Sequence, residues 1–158
     1  MKKIFLSLII SFVAFSHCYA ERFITTHDDI LETFKIADEK FGGYIPTSFF
    51  FERFKENEIK YEQDLIGKIL VFGGKVEKIR KAYAWENGSW VVELKIDTQF
   101  AFSNMEIVFP SDLGNNGKSK LANLKKGDVI RVVGKLRKKF TVDVFCYQNE
   151  KGEIDIDL

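Results

Sequence analysis

The feature that most constrains the fold is a change of hydrophobic period, helical up to about residue 62 and two-residue from Lys68 to Tyr147 with a single interruption. Ile30, Phe34, Ala37 and Phe41 recur at i, i+4, i+7 and i+11, which is one helical face. Thr26 is placed to cap that helix with Asp29 three residues on, and Gly42-Gly43 is a natural stop. A second helix is predicted from about Ser48. Its Phe49, Phe50, Phe51, Phe54, Ile59 and Tyr61 stand among Glu52, Lys55, Glu56, Glu58 and Glu62, and these aromatics read as packing. From Lys68 the pattern is that of strands. Ile69-Leu70-Val71-Phe72 runs through Gly73-Gly74 to Val76 and Ile79, and glycines inside a strand predict a bulge or a bend. Trp90, Val92, Leu94 and Ile96 form a second alternation, and Met105, Ile107 and Phe109 a third that ends at Pro110. A glycine- and asparagine-rich loop over 113–117 precedes a short helix carrying Leu121, Ala122 and Leu124. Strands over 129–136 and 140–147 follow, joined by the basic turn Arg137-Lys138-Lys139.

The order is therefore helix, helix, three strands, short helix, two strands. A five-stranded barrel with a long, bent first strand and a helix between strands three and four is the order of an OB-fold, so the fold class is mainly β with helices (α+β), the barrel preceded by two N-terminal helices. The predicted division is a leader over 1–20, a helical segment over 21–64, the barrel over 65–148 and an acidic tail over 149–158, whose Ile154, Ile156 and Leu158 allow either an extra strand or a frayed end. Hydrophobic residues at 46% supply a packed core, which excludes intrinsic disorder.

The same stretch resembles a known family. Phe54, Glu56-Asn57-Glu58 and Tyr61, then Gly67-Lys68, Gly74-Lys75-Val76 and Ile79, then Leu121, Leu124-Lys125-Lys126-Gly127-Asp128 and Val133-Gly134-Lys135 look like the bacterial tRNA-anti-like group of OB-fold proteins. The likeness covers roughly residues 49–147, and its most specific piece is the Leu-Lys-Lys-Gly-Asp turn followed by Val-Gly-Lys. It implies a barrel preceded by a helix, related to anticodon-binding and other nucleic-acid modules. The long connection between Lys81 and Trp90 and the helix at Thr26 depart from the pattern.

Lys2 and Lys3 precede an apolar run over residues 4–15. Twelve helical residues reach only about 18 Å, short of a hydrocarbon core near 30 Å but suited to a signal peptide. Cys18-Tyr19-Ala20 sets small residues at both recognition positions, predicting cleavage after Ala20 and a periplasmic or secreted product starting at Glu21. A lipoprotein acylated at Cys18 is the less favoured alternative, because His17 stands where a small residue belongs. Removing the leader leaves Cys146 as the sole thiol, so stability must come from packing without a disulfide, and Cys146 reads as a small buried hydrophobe.

Catalytic chemistry is not indicated. His27 is the only histidine after the leader and reads as a solvated or capping group; no metal-ligand spacing, phosphate-binding glycine loop or nucleophile elbow occurs, so no enzyme activity, metal or cofactor is expected. Charge placement is more informative. Without the leader the chain carries 22 basic against 23 acidic side chains, divided as 6 and 11 over 21–66, 15 and 7 over 67–140, and 1 and 5 over 141–158. The barrel is basic between acidic flanks. Lys78, Arg80 and Lys81 stand with Tyr83, Trp85 and Trp90 around the first hairpin, and Lys135, Arg137, Lys138 and Lys139 around the last. These are the two connections with which an OB-fold clasps oligonucleotides and oligosaccharides, lysine and arginine neutralising phosphates while aromatics stack on rings. The expected ligand is an anionic polymer, nucleic acid or envelope glycan. The competing reading is a protein interaction or inhibitor module of the envelope that works through the acidic helices.

Overall fold

In the computed structural model, which describes residues 24–82, 90–96 and 104–158, strand β1 (Ile24–Thr25) leads into helix α1 (His27–Phe41), strand β2 (Ile45–Pro46) and helices α2 (Thr47–Glu56) and α3 (Glu58–Leu65). Then come β3 (Ile69–Lys81), β4 (Trp90–Lys95), β5 (Asn104–Phe109), α4 (Asn115–Asn123), β6 (Val129–Lys138), β7 (Thr141–Val144), β8 (Cys146–Gln148) and β9 (Ile154–Asp155). The predicted leader, residues 1–20, lies outside the described residues.

The predicted start of α1 is present in full. The Thr26 hydroxyl accepts from the Asp29 N–H, and the Asp29 carboxylate accepts from the Thr26 N–H. Hydrogen bonds from the Thr26 and Thr25 side chains hold the Asp29 carboxyl below its ordinary range. Gly42 ends the helix at φ 72°, a left-handed conformation that glycine adopts without steric cost. The second predicted helix is two helices. Asn57 is extended at φ −165°, ψ 102°, and its side chain accepts from the Lys60 N–H at 3.0 Å, so it ends α2 and caps α3 as asparagine prefers to do.

A closed barrel forms because β3 pairs antiparallel with both β4 and β6, β5 pairs with β4 and, in parallel, with β7, and β7 returns antiparallel to β6. Phe72, Leu94, Ile107, Phe109, Leu136 and Val142 are fully enclosed in its core. The irregularity of β3 falls between Val76 and Lys78, beyond the predicted Gly73-Gly74. Neither glycine has a positive φ. β3 changes partner from β6 to β4 between Lys75 and Val76, just beyond them, and Gly73 also permits a close approach: β2 pairs in parallel with Phe72 and Gly73, and a Cβ on Gly73 would lie 2.4 Å from the ring of Tyr44.

Two further expectations change. The loop read over 113–117 is largely the first turn of α4, where a Cβ on Gly117 would lie 3.2 Å from a methyl of Leu113. The last predicted strand divides at Phe145, whose N–H donates to the Val133 carbonyl at 2.9 Å. β7 thus closes the barrel, and β8 leaves it to join β1 and β9 in a three-stranded sheet. The acidic tail supplies that last strand. Cys146 is buried, and burial, with the nearby Asp112 and Asp155 carboxylates, pushes its thiol up to about 12. α1 packs on the outside of the barrel, with Ile30, Phe34 and Ala37 against Val71, Val133 and Tyr147.

Candidate nucleic-acid interface

Directly paired residues of adjacent strands share a face, so the register fixes which side chains meet outside the barrel. One outward row runs Lys78, Glu93, Glu106, Thr141, Lys138 across β3, β4, β5, β7 and β6. The next, about 7 Å along the strands, runs Arg80, Val91, Val108, Asp143, Lys135. Lys95 and Asn104 pair on the same side at the other flank of the first row. Five strands at their usual spacing give the face a width of about 19 Å around the barrel.

Glu93 and Glu106 are direct cross-strand partners, an arrangement that like charges oppose. Arg80 resolves it. Its Nε donates to Glu93 Oε1 at 2.9 Å and its Nη2 to Glu106 Oε1 at 2.8 Å, with the Arg80 side chain only 11% exposed. Asn104 Nδ2 donates to the second Glu93 oxygen at 3.0 Å, and Thr141 Oγ1 to the second Glu106 oxygen at 3.4 Å. Beside this network Arg137 Nε lies 3.5 Å from Asp143 Oδ2. Burial raises the Asp143 carboxyl above its ordinary range, opposed by the charges of Arg137 and Lys135.

The nine residues singled out from sequence therefore separate. Tyr83 and Trp85 lie outside the described residues. Arg80 is the internal bridge just described, and Arg137 is paired with Asp143. Lys139 turns away from the face: its ammonium sits 3.7 Å from the centroid of the Phe54 ring, and its carbonyl accepts from the Tyr61 hydroxyl. Phe54, Tyr61 and Phe140 pack edge to face around it, so the last hairpin is docked on α2 and α3. Lys81 pairs with Trp90, and Trp90 with Phe109, which puts it on the core-facing side at the barrel rim. Lys78 and Lys138 are exposed at opposite edges of one outward row, make no ion pair among the described residues, and have half-exposed Lys135 in the adjacent row. The two hairpins leave the face at rows about 10 Å apart along β5, from opposite ends of the strands.

Sequence reasoning missed Glu93, Asn104, Glu106, Thr141 and Lys95. The available signal was alternation, since inward Val92, Leu94, Met105 and Ile107 oblige Glu93 and Glu106 to point out. Among the described residues no group of three or more His, Cys, Asp or Glu is placed to hold a metal ion, and no helix is long and apolar enough to cross a membrane.

No curated protein sequence matches the chain. Among solved structures it is similar to a lipoprotein of Klebsiella pneumoniae subsp. pneumoniae that is proposed to bind nucleic acid, with 18% identity, 75% of this chain and 92% of that chain covered, and a TM-score of 0.43. The tRNA_anti-like family model matches residues 1–150. A match of that extent, on a chain whose strands close an OB-type barrel behind N-terminal helices, makes this protein a member of the tRNA_anti-like family.

Proposed function

We infer that this family member is an exported, non-enzymatic binding protein that takes an anionic polymer, single-stranded nucleic acid or an envelope oligosaccharide, across the outward face of β3, β4, β5, β7 and β6. The observation that carries the reading is the row with exposed Lys78 and Lys138 at its two edges on an OB-type barrel. Lysines at the edges neutralise phosphates, and half-exposed Lys135 and exposed Lys95 extend the basic margin. Tyr83 and Trp85 complete the reading as stacking groups of the first hairpin. Export rests on the charged start, the apolar run and the small-residue site within residues 1–20.

Titrating labelled single-stranded DNA, RNA and an anionic glycan at several salt concentrations tests it. Each neutralised phosphate of a single strand contributes about −0.7 to the slope of log K against log salt, so Lys78→Gln with Lys138→Gln flattens that slope by about 1.4. Trp85→Ala weakens binding by about 1–3 kcal/mol per stacked base and leaves the slope unchanged. Absence of salt-dependent binding by the wild-type protein at low ionic strength overturns the reading. A second reading, a protein interaction or inhibitor module, is favoured by the carboxylates Glu93, Glu106 and Asp143 on the same face. It predicts capture of an envelope protein that survives both lysine substitutions.

A further inference from the structure

Lysines mark the edges of the face, but its centre is negative: Arg80 brings one positive charge to the two carboxylates of Glu93 and Glu106. A phosphodiester is itself anionic and offers only acceptors, so this centre repels it. The hydrogen-bonding capacity points to a different chemistry. An ionised carboxylate has about four acceptor sites, and both oxygens of Glu93 and of Glu106 accept from side chains of the face. Glu106 is the more accessible, with 34% of its side chain exposed against 17% for Glu93. The remaining acceptor capacity suits neutral donors, the amino and ring N–H groups of bases. The bridge also fixes the carboxylates before a ligand arrives, which reduces what binding must order.

We propose that the face sorts the parts of a single-stranded nucleic acid, Glu106 and Glu93 taking base edges at the centre while Lys78, Lys138 and Lys135 hold phosphates at the margin. This rests on the binding reading above and makes the two glutamates specificity-determining residues. They do not bind through charge attraction; they exclude phosphate from the centre and favour a strand that turns its bases inward. Glutamine in their place keeps the shape but removes the repulsion, so a strand without bases should gain.

The test compares a base-bearing oligonucleotide with an abasic strand of the same length, both binding to the mature wild-type protein, to Glu106→Gln and to Glu93→Gln/Glu106→Gln. Wild type is expected to prefer the base-bearing strand by about tenfold or more. Glu106→Gln narrows the preference by raising abasic affinity, and the double variant narrows it further. Lys78→Gln/Lys138→Gln weakens both strands alike and leaves the ratio unchanged. Because Arg80 loses the two carboxylate charges of Glu93 and Glu106 in the double variant, thermal melting checks its fold, and Glu106→Gln alone carries the test where the double variant melts early. Equal wild-type affinity for the two strands, or a ratio that Glu106→Gln leaves unmoved, overturns the sorting while leaving the binding reading in place. Failure of wild type to bind either strand overturns both.

Discussion

The two halves of β3 present opposite surfaces to the outside of one barrel. Over Ile69–Phe72 the strand is apolar on both faces: Leu70 and Phe72 enter the core, and Val71 meets α1 through Ile30, Phe34 and Ala37. Beyond Val76 the outward residues are Lys78 and Arg80, within a lattice of Glu93, Glu106 and Asn104. The partner strands repeat the contrast, with Val133 of β6 under α1 and Lys135 two residues on beside Asp143. A barrel strand has no intrinsic solvent side, so what its outward positions carry decides whether a helix packs on them. The first half buries area, which stabilises by about 25 cal/mol per Å² of apolar surface. The second half holds charge in a fixed pattern, whose net contribution to stability is small because the cost of desolvating the part-buried Arg80 and its carboxylates offsets their attraction.

Breaking the covered half should have the largest effect. Gly73→Val places a side chain where Tyr44 already lies, 2.4 Å from the new Cβ, and forces β2 and the start of α2 off the strand. The expected loss is about 3 kcal/mol in urea unfolding. Gly74→Ala, whose nearest contact is Thr47 Cγ2 at 3.2 Å, is the milder neighbour and should lose under about 1 kcal/mol. Equal stability of Gly73→Val and wild type would show that Tyr44 is not packed as described.

That distinction was only half legible in the sequence. The continuous run Ile69-Leu70-Val71-Phe72 already signals a strand buried on both faces, and the alternation from Val76 onward one that is half exposed. The barrel order, the α1 caps and the buried Cys146 follow from such local patterns. The reading of the glycines was incomplete: β3 does pass from β6 to β4 just beyond them, but a bend and a close approach favour the same residue, and only Tyr44, about thirty residues away, reveals the approach. Register limits the site in the same way. Alternation turns Glu93 and Glu106 outward, but that they face each other, and that Arg80 lies between them, depends on the turns joining the strands. Charge counted by segment made the hairpins look uniformly basic. Lys139 was beyond reach altogether, since the Phe54 ring that holds it belongs to a different helix. Asn57 carried a signal that the run of aromatics obscured: asparagine is a better cap than helix interior.

Breaking the charged half should have an intermediate effect. Arg80→Leu leaves Glu93 and Glu106 opposed without their cation, and the expected loss is about 2 kcal/mol in urea unfolding, below the value for a fully buried pair because Glu106 is a third exposed. Adding Glu106→Gln removes one of the opposing charges and should recover about half of the loss. A double variant as unstable as Arg80→Leu would mean that Arg80 acts through packing, and the central network would lose its electrostatic explanation.

The smallest effect sharpens the comparison where the two surfaces meet. Asp143 is raised mainly by burial, with Arg137 and Lys135 pulling it down. A carboxyl whose folded value lies above its unfolded value binds its proton more tightly in the folded state, so stability is lost as pH rises through that window and the charged form is a net cost above it. Asp143→Asn removes that cost. Its advantage should be present at neutral pH and disappear on acidification below the ordinary aspartate value, where wild type is itself neutral in both states. The side chain is a quarter exposed and Arg137 half exposed, so the gain is held to about 0.5 kcal/mol or less. Urea unfolding of both proteins near pH 7 and near pH 3 measures it. A loss at neutral pH would show that the Arg137 contact at 3.5 Å outweighs burial at Asp143.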